Sequence, residues 1–124
     1  EYAMIEITLP WPDPMLSPNS RAHWRTVAKV KQAARLEAYA ITQKIRGNLK
    51  LDARNCLRME IVFHFPDGRA RDSDNCLTML KAARDGIADA LGADDKVFWP
   101  LVVDYGENIP GGQVVVRIGE PLQK

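Results

Sequence analysis

Residues 23–45 contain neither proline nor glycine, while four prolines stand between Pro10 and Pro18 and Gly47 follows directly after. Ala, Lys, Arg, Gln and Leu dominate the uninterrupted stretch, all of them good helix formers. The spacing of Trp24, Val27, Ala34, Ala38, Ile41 and Ile45 is mostly helical and predicts the buried stripe of one long helix. Ser17-Pro18-Asn19-Ser20 is a turn able to open that helix, and Gly47-Asn48 closes it. Ahead of it, residues 4–9 (M-I-E-I-T-L) alternate and read as a strand. Pro10-Trp11-Pro12-Asp13-Pro14 ends the strand, because proline has no N–H to give to a ladder.

Downstream, residues 57–65 (L-R-M-E-I-V-F-H-F) open with period-two alternation and read as a second strand, ended by Pro66-Asp67-Gly68. Residues 74–91 read as a second helix, ended by Gly92. Residues 101–107 and 113–118 flank Asn108-Ile109-Pro110-Gly111-Gly112 and read as a closing antiparallel hairpin. The order strand–helix–strand–helix–strand–strand predicts an α+β fold: a mixed sheet of about four strands with two main helices packed on it. The 124 residues show no repeat and no linker, so they are expected to form one small domain, 1–124, with Glu1-Tyr2-Ala3 ahead of Met4 reading as a cloning remnant.

Apolar residues make up 46% of the chain, too many for a disordered segment. No apolar run is long enough to span a membrane, and the first residues do not read as a secretory signal. Cys56 and Cys76 lack metal-ligand or C-x-x-C spacing, which points to two reduced thiols in a cytoplasmic protein. The net charge of +1 conceals a division: residues 1–71 carry 12 Lys/Arg against 7 Asp/Glu, whereas residues 72–124 carry 5 against 9. Arg21, Arg25, Lys29, Lys31 and Arg35 occur with no acid among them. A basic block next to an acidic one fits a polyanion-binding surface beside a cation site, although a merely solvated helix face has the same composition.

The segment Arg69-Ala70-Arg71-Asp72-Ser73-Asp74-Asn75 joins a strand end to a helix start. Two aspartates one residue apart in a turn can aim both carboxylates at one point, and hard cations such as Mg²⁺ take such oxygens. Helix capping explains one aspartate but not the whole set. At about 100° per residue, Lys81 and Asp85 fall roughly 20° to either side of Asp74, while Cys76, Leu77, Leu80, Ala83, Ile87 and Leu91 form the opposite, apolar face. By itself the Lys81–Asp85 spacing is that of an ordinary exposed ion pair. Asp94-Asp95 is a further acidic pair. A helix of about 18 residues is about 27 Å long, so Asp95 returns to the site only if the next segment runs back along the helix; otherwise a second chain must supply it. An EF-hand beginning at Asp72 fails, since Leu77 and Ala83 occupy the places of its Gly and Glu. His23 and His64 are isolated and read as ordinary structural histidines. Phosphate-loop, serine-hydrolase and zinc-protease signatures are missing, and nothing points to a nucleotide cofactor.

These motifs, in this order, resemble the RusA-type Holliday junction resolvases, small homodimeric endodeoxyribonucleases of bacteria and their phages. Ile7-Thr8-Leu9-Pro10-Trp11-Pro12 is similar to the family's first strand and its proline-rich exit, and Ser17-Pro18-Asn19 to the turn that follows. Arg71-Asp72-Ser73-Asp74-Asn75 matches R-D-x-D-N, Lys81 to Ile87 matches K-A-x-x-D-x-L, and Asp94-Asp95 matches the acidic pair. Lys81 stands nearly one helical turn further along than in the family's best-known member. The resemblance implies a Mg²⁺-dependent endonuclease, with Mn²⁺ as a substitute, that acts on branched DNA such as a four-way junction as a homodimer in a bacterial or phage-infected cytoplasm. It implies Asp72, Asp74 and Asp95 as metal ligands with Asp94 as helper, and Lys81 stabilising charge at the scissile phosphate. Arg21, Arg25, Lys29, Arg69 and Arg71 are expected to meet DNA phosphates. The competing readings are a non-catalytic branched-DNA-binding domain and a nuclease for flaps or forks.

Overall fold

The computed structural model describes residues 4–49, 51, 56–69 and 71–120; the expected remnant 1–3 lies outside them. The described elements are β1 (Met4–Pro10), α1 (Trp24–Arg46), β2 (Leu57–His64), α2 (Ser73–Met79), α3 (Lys81–Leu91), β3 (Phe98–Tyr105) and β4 (Gln113–Gly119). Short 3-10 turns, Pro14–Leu16 and Asp95–Val97, punctuate the connections. The architecture is the expected α+β one, a four-stranded mixed sheet in the order β1-β4-β2-β3. β4 is antiparallel to both β1 and β2, and β3 is parallel to β2. A parallel pair needs a crossover, and α2 with α3 provides it.

The expected hairpin between the last two strands is not formed. β4 inserts between β1 and β2, and β3 goes to the edge. The residues explain the exchange. Val114, Val115, Val116 and Ile118 are all buried, as a central strand requires, whereas β3 carries exposed Trp99 and Tyr105 and a proline that suits an edge.

Along β1 the burial alternates, sending Ile5, Ile7 and Leu9 into one core with Met59, Ile61 and Phe63 of β2 and Val116 and Ile118 of β4. On the outer face, cross-strand neighbours Glu6, Arg117 and Glu60 form an ionic row, with Arg117 3.2 Å from Glu6 and 3.0 Å from Glu60. The helices therefore cover one face and water the other. No described helix is long and apolar enough to cross a membrane.

α1 meets α3 at Gly86. A Cβ there would lie 2.1 Å from the Arg35 carbonyl oxygen, so only glycine permits this approach. Beside it Ala38 and Thr42 are fully buried, and the Thr42 hydroxyl donates to the Ala38 carbonyl at 2.7 Å. The predicted stripe holds only in part. Ala38 is buried and Val27, Ala34 and Ile41 are half-buried, but Trp24 is 68% exposed and Ile45 44%. α1 has 23 residues and α3 only 11, so the ends of α1 outrun the helix that covers it.

The single helix expected over 74–91 is divided at Leu80. Its N–H is shared between the carbonyls of Cys76 and Leu77 at 3.2 and 3.1 Å, and its ψ of −6° interrupts the regular turn. The apolar face survives the break: Cys76, Leu80 and Ile87 are buried, and Leu77, Ala83 and Leu91 pack against them. Gly92, at φ 66°, ends α3 while the Ala93 N–H donates back to the Ala88 carbonyl at 3.0 Å.

Candidate active site and nucleic-acid interface

The loop after β2 is fixed before it delivers its aspartates. His64 is hydrogen-bonded through Nδ1 to the Glu107 carbonyl at 2.8 Å. Asp67 accepts from the Arg69 N–H at 2.9 Å and lies 3.0 Å from the Arg71 guanidinium. Arg71 also donates to the carbonyls of Asp67 and Arg69, and its guanidinium sits 5.7 Å from the Trp11 ring and 5.4 Å from the Phe65 ring. Its side chain is only 16% exposed, against 79% for Arg69. The Arg71 guanidinium, helped by the Arg69 N–H, holds the Asp67 carboxyl well below the usual carboxylate range. Sequence reading places Arg71 and Arg69 together as phosphate ligands. In the fold Arg71 is packed into the loop, and Arg69 reaches into solvent.

Asp72 is the N-cap of α2, its Oδ1 accepting from the N–H groups of Asp74 at 2.8 Å and Asn75 at 3.4 Å. Oδ2 has no hydrogen-bond partner among the described residues, and neither has the exposed Asp74 carboxylate. Capping and ligand readings are thus compatible for Asp72, one oxygen serving each. Asp72 and Asn75 border a cleft of about 480 Å³ whose walls include Trp11, Arg69, Arg71 and Cys76.

One break further on, Lys81 Nζ lies 2.6 Å from Asp85 Oδ1 and 2.9 Å from Asp95 Oδ2. Asp85, then Asp95, raise the Lys81 pKa, so the amine stays charged. Lys81 in turn lowers that of Asp95. Asp94 caps the following 3-10 turn, accepting from the Lys96 N–H at 3.0 Å. The segment after α3 therefore does run back, and Asp95 reaches the start of α3 within its own chain. Arg84, one turn from Lys81, has a buried Nε with no hydrogen-bond partner among the described residues. Sequence reading passes over it, because an arginine on a charged helix looks solvated.

The donor chemistry suits a hard cation: Asp72, Asp74, Asp94 and Asp95 are all exposed carboxylates. Their placement is more open than a closed cage. Among the described residues no three His, Cys, Asp or Glu side chains come together to hold a metal ion. The acidic set consists of the Asp72–Asp74 turn and, separately, Asp95 tied to Lys81 with Asp94 beside it. Two carboxylates with water and substrate phosphate form an ordinary Mg²⁺ environment, and the Asp72–Asp74 turn carries oxygen donors of the kind such an ion takes.

Arg21, Arg25 and Lys29 are exposed at the start of α1, with no ion pair among the described residues. Arg35, further along, is bound to Asp89 at 2.7 and 2.9 Å. His23 caps α1, its Nδ1 accepting from the Arg25 N–H at 3.1 Å. Both cysteines are free, and burial pushes the Cys76 thiol up.

No family profile matches this chain. An uncharacterized protein of Xylella fastidiosa is 42% identical over 118 residues, covering 93% of this chain and 76% of that protein. The crossover junction endodeoxyribonuclease rusA of Enterobacteria phage HK97 is 36% identical over 81 residues, covering 63% of this chain and 65% of that enzyme. The chain thus spans just under two thirds of the phage enzyme's length. It belongs to one family with the Xylella protein and is similar, over the greater part of its length, to a RusA endonuclease.

Proposed function

We propose that this chain is a Mg²⁺-dependent, structure-selective DNA endonuclease that resolves four-way junctions by paired phosphodiester hydrolysis. One observation carries the reading: Asp72 and Asp74 stand at the head of α2 with carboxylate oxygens that have no partner among the described residues, and a lysine whose pKa is raised by Asp85 and Asp95 follows at the head of α3. The similarity to the phage enzyme supports it.

Asp74 and the free oxygen of Asp72 hold the cation, for which Mn²⁺ substitutes. Bound there, the ion supplies activation of water and neutralisation of charge at the phosphate. Lys81 is held protonated by Asp85 and Asp95, so it acts as a cation beside the reacting phosphate and not as a base. Asp95 positions Lys81, with Asp94 shaping the turn that presents it. Arg21, Arg25, Lys29 and Arg69 meet backbone phosphates, and Arg71 keeps the aspartate-bearing loop in place. A junction has two-fold symmetry, which two copies of the chain match by cutting opposed strands. The site of action is the cytoplasm, where both thiols remain reduced.

The test is single-turnover cleavage of a labelled junction in Mg²⁺ and in EDTA, by wild type and Asp74→Asn. Metal-dependent nicking that falls about 100- to 1000-fold in the variant supports the reading. Undiminished cleavage by Asp74→Asn contradicts it. Tight junction binding without cleavage replaces it with a non-catalytic branched-DNA-binding domain.

A further inference from the structure

Outside the carboxylate site, Trp24 is 68% accessible at the first position of α1, comparable with Trp99 and Tyr105 on β3. A single exposed aromatic is ordinary on a protein surface. What sets Trp24 apart is that a cation and an imidazole flank its ring. The Arg25 guanidinium lies 5.2 Å from the ring centroid, and the His23 ring is stacked at 5.7 Å with an interplanar angle of 27°. No acidic residue occurs between Arg21 and Arg35.

The position of Trp24 along α1 is equally informative. At about 100° per residue, Ala28, Lys31 and Arg35 fall within roughly 40° of the line through Trp24. Those three residues, with Val27 and Gln32, form the α1 wall of a groove of about 490 Å³, and Lys81 and Asp85 lie on its opposite wall beside Met79 and Ala82. Trp24 therefore continues the line of that wall towards the start of α1, about 10 Å from Lys31 along the helix axis, the length of about three stacked nucleotide steps. Lys31, with no ion pair among the described residues, lines the same groove as Lys81.

We infer that Trp24 is a stacking platform for an unpaired nucleobase, and that the groove between α1 and the α2–α3 break is the track for the single strand that carries it. Base stacking on an aromatic ring is tolerant of sequence and is strengthened by adjacent arginine. A base inside a duplex has both faces occupied, so the platform selects DNA whose strands are unstacked, as they are at a branch point. A protein partner of acidic character is the competing occupant. The basic run, the lysine in the groove and the continuity with the Lys81 wall favour a nucleic acid strand. This inference rests on the DNA-directed function proposed above.

The test uses the full chain as wild type, Trp24→Phe and Trp24→Ala, with intrinsic tryptophan fluorescence, oligothymidylate, blunt duplex and a four-way junction. Oligothymidylate is expected to quench wild-type emission, and Trp24→Phe to remove most of that quench, with Trp99 on β3 remaining as a reporter of the fold. Trp24→Ala is expected to weaken oligothymidylate binding about 5- to 150-fold, with the slope of log affinity against log salt unchanged, and to leave duplex affinity unaltered. Trp24→Phe should retain most of the affinity. Equal binding by Trp24→Ala, or a quench undiminished in Trp24→Phe, overturns the platform even if the protein cleaves junctions. Stacking without any cleavage by the wild type upholds the platform and counts against the nuclease. A wild type that binds no DNA overturns both.

Discussion

The two halves of α1 have similar helix propensity and opposite fates. The inner half places Ala38 and Thr42 in the core and meets α3 so closely that Gly86 touches backbone. The outer half buries nothing completely and shows Trp24, Arg25 and Lys29 to solvent. The difference lies in what stands opposite. Where α3 runs alongside, small residues are required; towards the start of α1 the covering thins, Val27 and Val30 are only half-buried, and charged side chains occupy the surface. The arginines divide in the same way. Arg35 and Arg71 are engaged by Asp89 and Asp67, whereas Arg25 and Arg21 have no carboxylate partner among the described residues.

Gly86→Ala gives the sharpest break in this comparison. Its Cβ would lie 2.1 Å from a main-chain oxygen that cannot swing aside. The expected loss is about 3 kcal/mol, read as a fall in Tm of about 10 °C by calorimetry. A neutral substitution there would mean that the helices do not pack as described. Charge reversal in the outer half should do the converse. Arg25→Glu with Lys29→Glu should leave Tm within about 2 °C while lowering the slope of log affinity for DNA against log salt by about two. A large Tm change would assign the outer half to the core as well.

The smallest effect distinguishes the engaged arginines. Asp67 is a carboxyl whose folded pKa is depressed by Arg71, so the stabilisation of the ionised pair is present above the ordinary carboxylate pKa and is lost as pH falls through the lower, folded value. In a carboxyl-carbon NMR titration Asp67 should remain ionised after the exposed carboxylates have protonated. In Arg71→Met its midpoint should rise towards the ordinary carboxylate range without reaching it, because the Arg69 N–H and guanidinium remain. An unmoved midpoint would show that Arg71 is free to bind DNA instead.

Much of this was legible in the residues. β1, α1 and β2 are recognisable from alternation, from an interval without proline or glycine, and from bounding turns, all of which act locally. The break at Leu80 was not legible, because leucine is a good helix former and no glycine or proline marks the place. The hairpin expectation failed because adjacency in sequence is a weak guide to pairing; the run Val114-Val115-Val116 was the available sign of a central strand, paired on both edges. Periodicity placed Trp24 on a stripe but carried no information about how far the covering helix extends. Near the site, the place of Asp72 and Asp74 at the head of α2 could be read from spacing alone. The contact between Lys81 and Asp95 required the chain to turn back after Gly92, and the capture of Arg71 by Trp11 and Phe65 required the sheet.

The most direct measurement is a side-by-side cleavage assay of a four-way junction, a flap, a fork and linear duplex, all with Mg²⁺ and strand-specific labels. The account predicts symmetric nicks in opposed strands of the junction and no comparable cutting of the other three. Single, unpaired nicks concentrated on flaps or forks, or no cleavage of any substrate, would contradict it.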